Sequence, residues 1–285
     1  MLTLEQKQQF VEKGYVLIEG GIKNLDLLAK MREQTWERIG YDPHNQETWI
    51  NPYVEFEGTE AHYFPDMAPR VCKAIGELVG GLDRVDIKSI QYLWNRFAVK
   101  YLYYPDSDEG QWQLPETMWH RDGGYFLNFL DSPETVLVPL VLGCDIESHG
   151  GATIILPESV SLIARFLAQH PEGVYGWQHL RPHYPIYEIA ASCKEYVELI
   201  GKMGDVYLMH GFMVHAGGYN YSGKPVYVMN SQVSLKEPLN LSSKNPSLLE
   251  QATLRALGVS SFDFKPTAPR KRFPLPKSDS LKSVS

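Results

Sequence analysis

Trp119-His120-Arg121-Asp122-Gly123-Gly124-Tyr125-Phe126 sets a His and an Asp one residue apart in a segment whose aromatic flanks read as a strand. On a strand, residues i and i+2 share a face, so an imidazole and a carboxylate are presented side by side. That is two-thirds of the facial triad that holds non-haem Fe(II). The third ligand should be a His on a strand remote in sequence and adjacent in space. The stretch Met209-His210-Gly211-Phe212-Met213-Val214-His215-Ala216-Gly217-Gly218 supplies it, with His215 as the candidate. A ligand set split in this way needs distant strands lying next to each other across a barrel.

The rest of the chain is compatible with that demand. At 285 residues it can build one large domain with a sizeable core. Hydrophobic residues make up 44% and charged residues 21%, an ordinary globular balance. The formal charge is 27 − 34 = −7, which argues against general nucleic-acid or anionic-membrane binding. Cys72, Cys144 and Cys193 are scattered and odd in number, so neither a disulfide framework nor a Cys-type zinc site is indicated. The N-terminus has no apolar signal core and no run is long enough to span a bilayer, so a reduced, cytoplasmic setting is expected.

Along the chain, residues 3–14 read as a helix capped by Thr3 and ended by Gly14, followed by a strand at 15–18. A second helix spans 24–39, with Asn24 or Asp26 as its cap. Residues 41–66 carry Pro43, Pro52 and Pro65 and read as an irregular lid or binding loop. A helix over 67–79 follows. From Val85 onward, Ile87, Ile90, Tyr92, Trp94, Phe97, Val99, Tyr101 and Tyr103 read as strand residues. Further strands are expected at 135–142, 152–157, 205–209 and 226–230, with helices at 160–169 and 247–257. Residues 1–264 then form a single domain, mainly β with flanking helices packed outside a sandwich or barrel. The Pro- and Lys/Arg-containing tail, 265–285, reads as extended and partly disordered.

Taken in order, several segments resemble the phytanoyl-CoA dioxygenase family of Fe(II)/2-oxoglutarate oxygenases. Phe10 to Ile18 (Phe-x-x-x-Gly-Tyr-Val-Leu-Ile) looks like its opening helix and strand. Trp119-His120-Arg121-Asp122 with Tyr125 looks like its first metal motif. His149-Gly150-Gly151-Ala152-Thr153-Ile154-Ile155-Leu156-Pro157-Glu158-Ser159 resembles its Asn-Gly-then-Pro-Gly-Ser-His segment. Gly204 to His210, then His215, then Asn220, looks like its second metal motif. The landmarks cover most of residues 5–230. The resemblance implies a double-stranded β-helix, the cupin-like jelly roll. It also implies Fe(II), 2-oxoglutarate and O₂, with His120, Asp122 and His215 as metal and catalytic residues acting on a small-molecule substrate. Trp119, Tyr125 and Phe126 are candidates to line its pocket.

One position departs from the family pattern. The Arg that binds the far carboxylate of 2-oxoglutarate is Val226 here, and the residue two further on is Val228. Val cannot form that ion pair, and an unpaired buried carboxylate is costly. Lys100, Arg96, Tyr101 and Tyr103, from the strand before the metal motif, and Lys224, two residues before Val226, are the candidate replacements. Two alternatives stay open: an Fe(II) oxygenase that does not use 2-oxoglutarate, and a non-catalytic β-barrel binding protein. His210 sits an odd number of residues before His215 and is disfavoured as a ligand, and His149 reads as a turn residue. His170, His179 and His183 fall in a variable insert where a surface or substrate-loop role is expected. His-Arg-Asp also opens kinase catalytic loops, but Leu127 stands where those need Asn, and no Gly-rich phosphate loop is present.

Overall fold

The computed structural model describes all residues except 52, 57–60, 91, 95–96, 101–111, 177–181, 274–281 and 284–285. Helix α1 (Leu4–Lys13) starts in a capping box between Thr3 and Gln6, and Gly14 ends it at φ 76°. The chain turns straight into β1 (Tyr15–Ile18). Helix α2 (Leu25–Ile39) is capped by the Asn24 side chain and closed by Gly40. The expected loop at 41–66 is partly strand: Tyr53–Phe56 (β2) pairs along β3 (Phe97–Lys100). Pro65 sits in the first turn of a short helix, Phe64–Met67. Helix α3 (Pro69–Val79) follows. Ile87 and Ile90, expected in a strand, instead form a helical turn.

The elements that build the two sheets and their cover are β4 (Leu137–Leu142), β5 (Thr153–Leu156), α4 (Ser159–Ala168), α5 (Ile186–Ser192), β6 (Val197–Glu198), β7 (Val206–His210), β8 (Val214–Gly217), β9 (Val226–Asn230) and α6 (Leu248–Leu257). The larger sheet is antiparallel, in the order β1-β7-β4-β9-β3-β2, with Lys282–Ser283 on its outer edge. The smaller sheet is β6-β5-β8, and a single bridge between His120 and His215 extends it past β8. From β3 onward the chain visits the larger sheet, the His120 bridge, the larger sheet at β4, then β5 and β6. It returns to the larger sheet at β7, crosses to β8 and ends in the larger sheet at β9. This winding is a double-stranded β-helix, the jelly roll that closes two sheets over one core.

Strand alternation then sorts the side chains. One face of the larger sheet carries Val16, Ile18, Val206, Leu208, Val141, Met229 and Tyr227, all half-buried or buried beneath the N-terminal helices. Tyr227 meets Trp36 of α2 edge-on at 6.2 Å. The other face, turned toward the smaller sheet, carries Val138, Leu140, Leu142, Met209, Val226 and Val228. The turn from β7 to β8 is tight, since a Cβ on Gly211 would lie 1.8 Å from the Thr135 carbonyl oxygen. Only glycine fits there, and that turn delivers β8 and His215 beneath the 119–126 segment.

His210, at the end of β7, belongs to the helix-facing side. It is 2% exposed, stacks on Phe10 at 6.4 Å and packs on Phe212 at 4.6 Å. Its Nδ1 accepts from the Phe212 N–H at 3.1 Å, so Nε2 carries the proton and donates to Thr253 Oγ1 at 3.1 Å. Burial, reinforced by the Arg121 charge, pushes its pKa down to about 3. The unfolded chain protonates near pH 6.5 and the native chain does not, so acidification favours unfolding. His210 therefore contributes stability in full above pH 6.5 and loses it as pH falls from 6.5 toward 3. Urea unfolding at pH 6.5 and pH 5 is expected to show a loss of about 2 kcal/mol that is absent in His210→Gln. Equal pH dependence in the two proteins would refute the assignment.

Candidate metal centre

His120 and His215 face each other as a hydrogen-bonded antiparallel pair. Each backbone N–H donates to the other's carbonyl, at 3.0 and 2.9 Å, and the rings lie 4.2 Å apart. The bridge does not continue into a strand. Met118 adopts a left-handed conformation at φ 65°, and Gly123 takes φ 114°. The 119–126 segment is thus a bridge followed by a turn, which corrects the expected strand. Its His and Asp still converge, because the turn brings Asp122 back over the bridge.

One ligand atom each from His120, Asp122 and His215 lie within 4.8 Å of one another. The neighbouring backbone fixes both imidazoles. His120 Nδ1 bonds the Met118 carbonyl at 2.8 Å and His215 Nδ1 bonds the Met213 carbonyl at 3.1 Å. Carbonyls only accept, so each Nδ1 carries the proton and Nε2 is the ring nitrogen of each imidazole that can ligate a cation. Asp122 Oδ2 is buried and, among the described residues, has no hydrogen-bond partner. A buried carboxylate oxygen left alone is costly, and a divalent cation between the two imidazoles and this carboxylate removes that cost. His120 is exposed and His215 buried, so the cluster opens to solvent on one side. Two neutral nitrogens and one carboxylate on one face leave the opposite coordination positions for other ligands.

Arg121, between two of these residues, points the other way. Its Nε donates to the Gly211 carbonyl at 2.8 Å, and Nη1 donates to Asn128 Oδ1 and to the Tyr184 hydroxyl at 2.9 Å. The guanidinium lies over the Tyr184 and Phe212 rings at 5.1 and 5.5 Å. Asn128, fully buried, returns Nδ2 bonds to the Gly123, Phe126 and Val174 carbonyls. These two residues lock the turn that carries Asp122, and sequence reading passed over both. Strand alternation carried a signal: a cation opposite two inward ligands must find partners in the interior.

The other expected residues lie as follows. Trp119 is 8% exposed and donates Nε1 to the Pro115 carbonyl at 2.8 Å. The Tyr125 hydroxyl bonds Thr135 Oγ1 and Gln232 Oε1, and burial raises its pKa. Phe126 is fully buried, edge-on to Tyr125 at 5.1 Å. Val226 and Val228 are buried on the inward face of β9. Lys100 of β3 is the register partner of Val226, so the two positions sit side by side on one face of the sheet. Lys224 lies exposed in the turn before β9, beside an outer cleft that Arg32, Trp36 and Tyr227 also line. Arg96, Tyr101 and Tyr103 lie outside the described residues, as does His179. His149 is a left-handed turn residue whose ring stacks on Trp112 at 4.6 Å.

Neither a family model nor a curated protein matches this chain. Similar solved structures include HygX from Streptomyces hygroscopicus with nickel and 2-oxoglutarate bound, 15% identical over 83% of this chain and 88% of that one, with a TM-score of 0.45. The non-haem alpha-ketoglutarate-dependent carbocyclase SnoK from nogalamycin biosynthesis is 16% identical over 84% and 86%, with a TM-score of 0.47. AviO1 from Streptomyces viridochromogenes Tue57 is 15% identical over 84% and 98%, with a TM-score of 0.48.

Proposed function

We propose that this chain is a non-haem Fe(II) oxygenase that uses 2-oxoglutarate and O₂ to oxidise a small-molecule substrate. It would hydroxylate, demethylate or desaturate a specialised metabolite or an amino-acid derivative, as the resemblance to phytanoyl-CoA dioxygenases implies. The observation that carries the reading is the His120–Asp122–His215 cluster, whose three ligand atoms lie within 4.8 Å of one another, with each Nδ1 held by a backbone carbonyl and Asp122 Oδ2 buried without a hydrogen-bond partner among the described residues. His120, Asp122 and His215 would hold the iron; bound there with 2-oxoglutarate, it supplies the oxidising power to attack an unactivated C–H bond. The protein's own part is positional. The Met118 and Met213 carbonyls fix the imidazole tautomers, and the buried side of the cluster limits solvent access. Tyr125, three residues beyond Asp122, is our choice among the aromatic candidates for a substrate contact.

The cosubstrate's far carboxylate needs a cation, and we assign Lys100 to it. Lys100 is the register partner of Val226 across β3 and β9. Lys100→Ala is expected to weaken 2-oxoglutarate binding by about 10–100-fold, the loss of one charge-assisted pair of roughly 1.5–3 kcal/mol. Fe(II) affinity should be unchanged. Anaerobic binding isotherms on both proteins check this, and Lys224→Ala serves as the competing assignment.

The test of the whole reading is an anaerobic titration with Fe(II), then 2-oxoglutarate, followed in the visible. A charge-transfer band that requires both additions, and is missing in His215→Ala, is the expected result. The apolar Val226 and Val228 favour a second reading, an Fe(II) oxygenase independent of 2-oxoglutarate. Iron binding without the band selects it. No iron binding refutes both and leaves a binding protein.

A further inference from the structure

The segment before residue 274 does not run free. Thr267 donates its N–H to the Pro171 carbonyl at 2.7 Å. The chain then lies antiparallel against the far end of the turn that carries Asp122. Arg272 bridges Phe126; Leu127 N–H donates to the Lys271 carbonyl at 2.8 Å, and Phe273 N–H donates to the Tyr125 carbonyl at 2.6 Å. On the opposite edge Leu127 and Asn128 pair with Tyr175 and Val174. The 125–128 stretch is thereby the middle of three extended segments, and Asp122 hangs from its near end.

Side chains fasten the same strap. Arg270 Nη2 meets Asp131 Oδ1 at 2.7 Å and its guanidinium lies over Phe129 at 5.1 Å. Arg272 Nε meets Glu134 Oε1 at 3.1 Å. Asp131 and Glu134 are each 7% exposed, so these pairs hold carboxylates that the fold has already taken out of water. The Phe273 ring packs on Tyr175 at 5.7 Å. Asp122 Oδ2, by contrast, has no hydrogen-bond partner among the described residues. Its position depends on the backbone on either side: the His120 bridge before it and the strapped segment after it.

We propose that Arg270, Arg272 and Phe273 are positioning residues for the metal centre: the strap fixes the 125–128 segment, and through it places Asp122 opposite His120 and His215. The inference rests on the metal-centre reading above. A strap that only added stability would leave metal affinity untouched.

The test uses the full chain and Co(II) as the probe, with affinity and the visible d–d spectrum as readouts. Phe273→Pro removes the N–H that bonds Tyr125 and leaves both arginines in place. Arg270→Gln with Arg272→Gln removes the two ion pairs. Each is expected to raise the Co(II) Kd at least tenfold and to alter the d–d envelope, and Arg272→Lys should recover most of the affinity. Ser247→Ala, which breaks the α6 capping box away from the site, is the stability control. It should lower Tm and leave the Kd within twofold. If the double variant fails to fold, Phe273→Pro decides. A Kd within twofold of the native value in the folded strap variants overturns the inference and leaves the metal centre standing. Native protein that binds no Co(II) overturns both.

Discussion

Asp122→Ala abolishes metal binding without harming the metal-free fold: that is the expected result, and it separates this carboxylate from every other buried acid described. Asp131, Glu134 and Glu250 each meet an arginine, and Asp205 accepts backbone N–H groups from Gly20 and Lys202. Removing any of those four would leave donors unsatisfied and lower stability. Asp122 Oδ2 meets nothing among the described residues. Its removal relieves a desolvated charge, so the metal-free variant should melt at the native temperature or above, by up to about 1 kcal/mol in stability. Fe(II) or Co(II) affinity should fall by more than about 100-fold, since even loss of an outer partner of a ligand costs 10–100-fold. The rise in Tm that saturating metal gives the native chain should vanish. His210→Ala is the informative contrast, because it deletes a buried imidazole bonded to Thr253 and Phe212. It should destabilise the chain and spare metal binding. An Asp122→Ala protein that is less stable without metal, or that keeps native affinity, would refute the assignment.

The periodic and punctuated parts of the fold were readable from sequence. Thr3, Gly14, Asn24 and Gly40 act where capping chemistry puts them, because those interactions are local. Val226–Asn230 coincides with its expected strand. Several failures share a cause: the element owes its form to contacts distant in sequence. Tyr53–Phe56 is extended because β3 pairs with it, and nothing within 41–66 announces that partner. The 119–126 segment looks like a strand by composition, yet only His120 and Phe126 pair, each through a single bridge to a partner far off in sequence, since Met118 and Gly123 turn the chain. Arg270, Arg272 and Lys271 resemble a solvated basic tail until Asp131, Glu134 and the Leu127 N–H are seen to face them.

The candidate site divides in the same way. His120, Asp122 and His215 were legible because ligand chemistry restricts residue types and the resemblance supplied the spacing. The groups that aim them were not, because they are backbone carbonyls at Met118 and Met213, which carry no side-chain signature. The neighbour of Val226 could not be read either. Which residue of β3 lies beside it is a matter of register, and the pairing with Lys100 follows from the strand order of the larger sheet.

Arg121→Met tests whether the turn that presents Asp122 is locked from behind. Methionine keeps the unbranched stem and some contact with the Tyr184 and Phe212 rings, but removes the guanidinium fork. The Gly211 carbonyl, Asn128 Oδ1 and the Tyr184 hydroxyl each lose the donor they share. Unsatisfied polar groups cost about 1–3 kcal/mol each, and partial rehydration at this half-buried site holds the total to about 3–4 kcal/mol. Two further effects follow from the same atoms. The Gly211 carbonyl belongs to the turn between β7 and β8, so loosening it displaces His215 as well as Asp122, and Co(II) affinity should fall at least tenfold. The Arg121 charge is also the second cause of the depressed His210 pKa, after burial. Removing it lets His210 protonate less reluctantly, so the stability lost between pH 6.5 and pH 3 should shrink in the variant. Arg121→Lys keeps the charge and loses the fork, and should restore the pH response while recovering little of the affinity. Urea unfolding at two pH values with Co(II) titration reads all three effects. An Arg121→Met protein within about 1 kcal/mol of native stability and with native affinity would show that the turn holds its shape without this anchor.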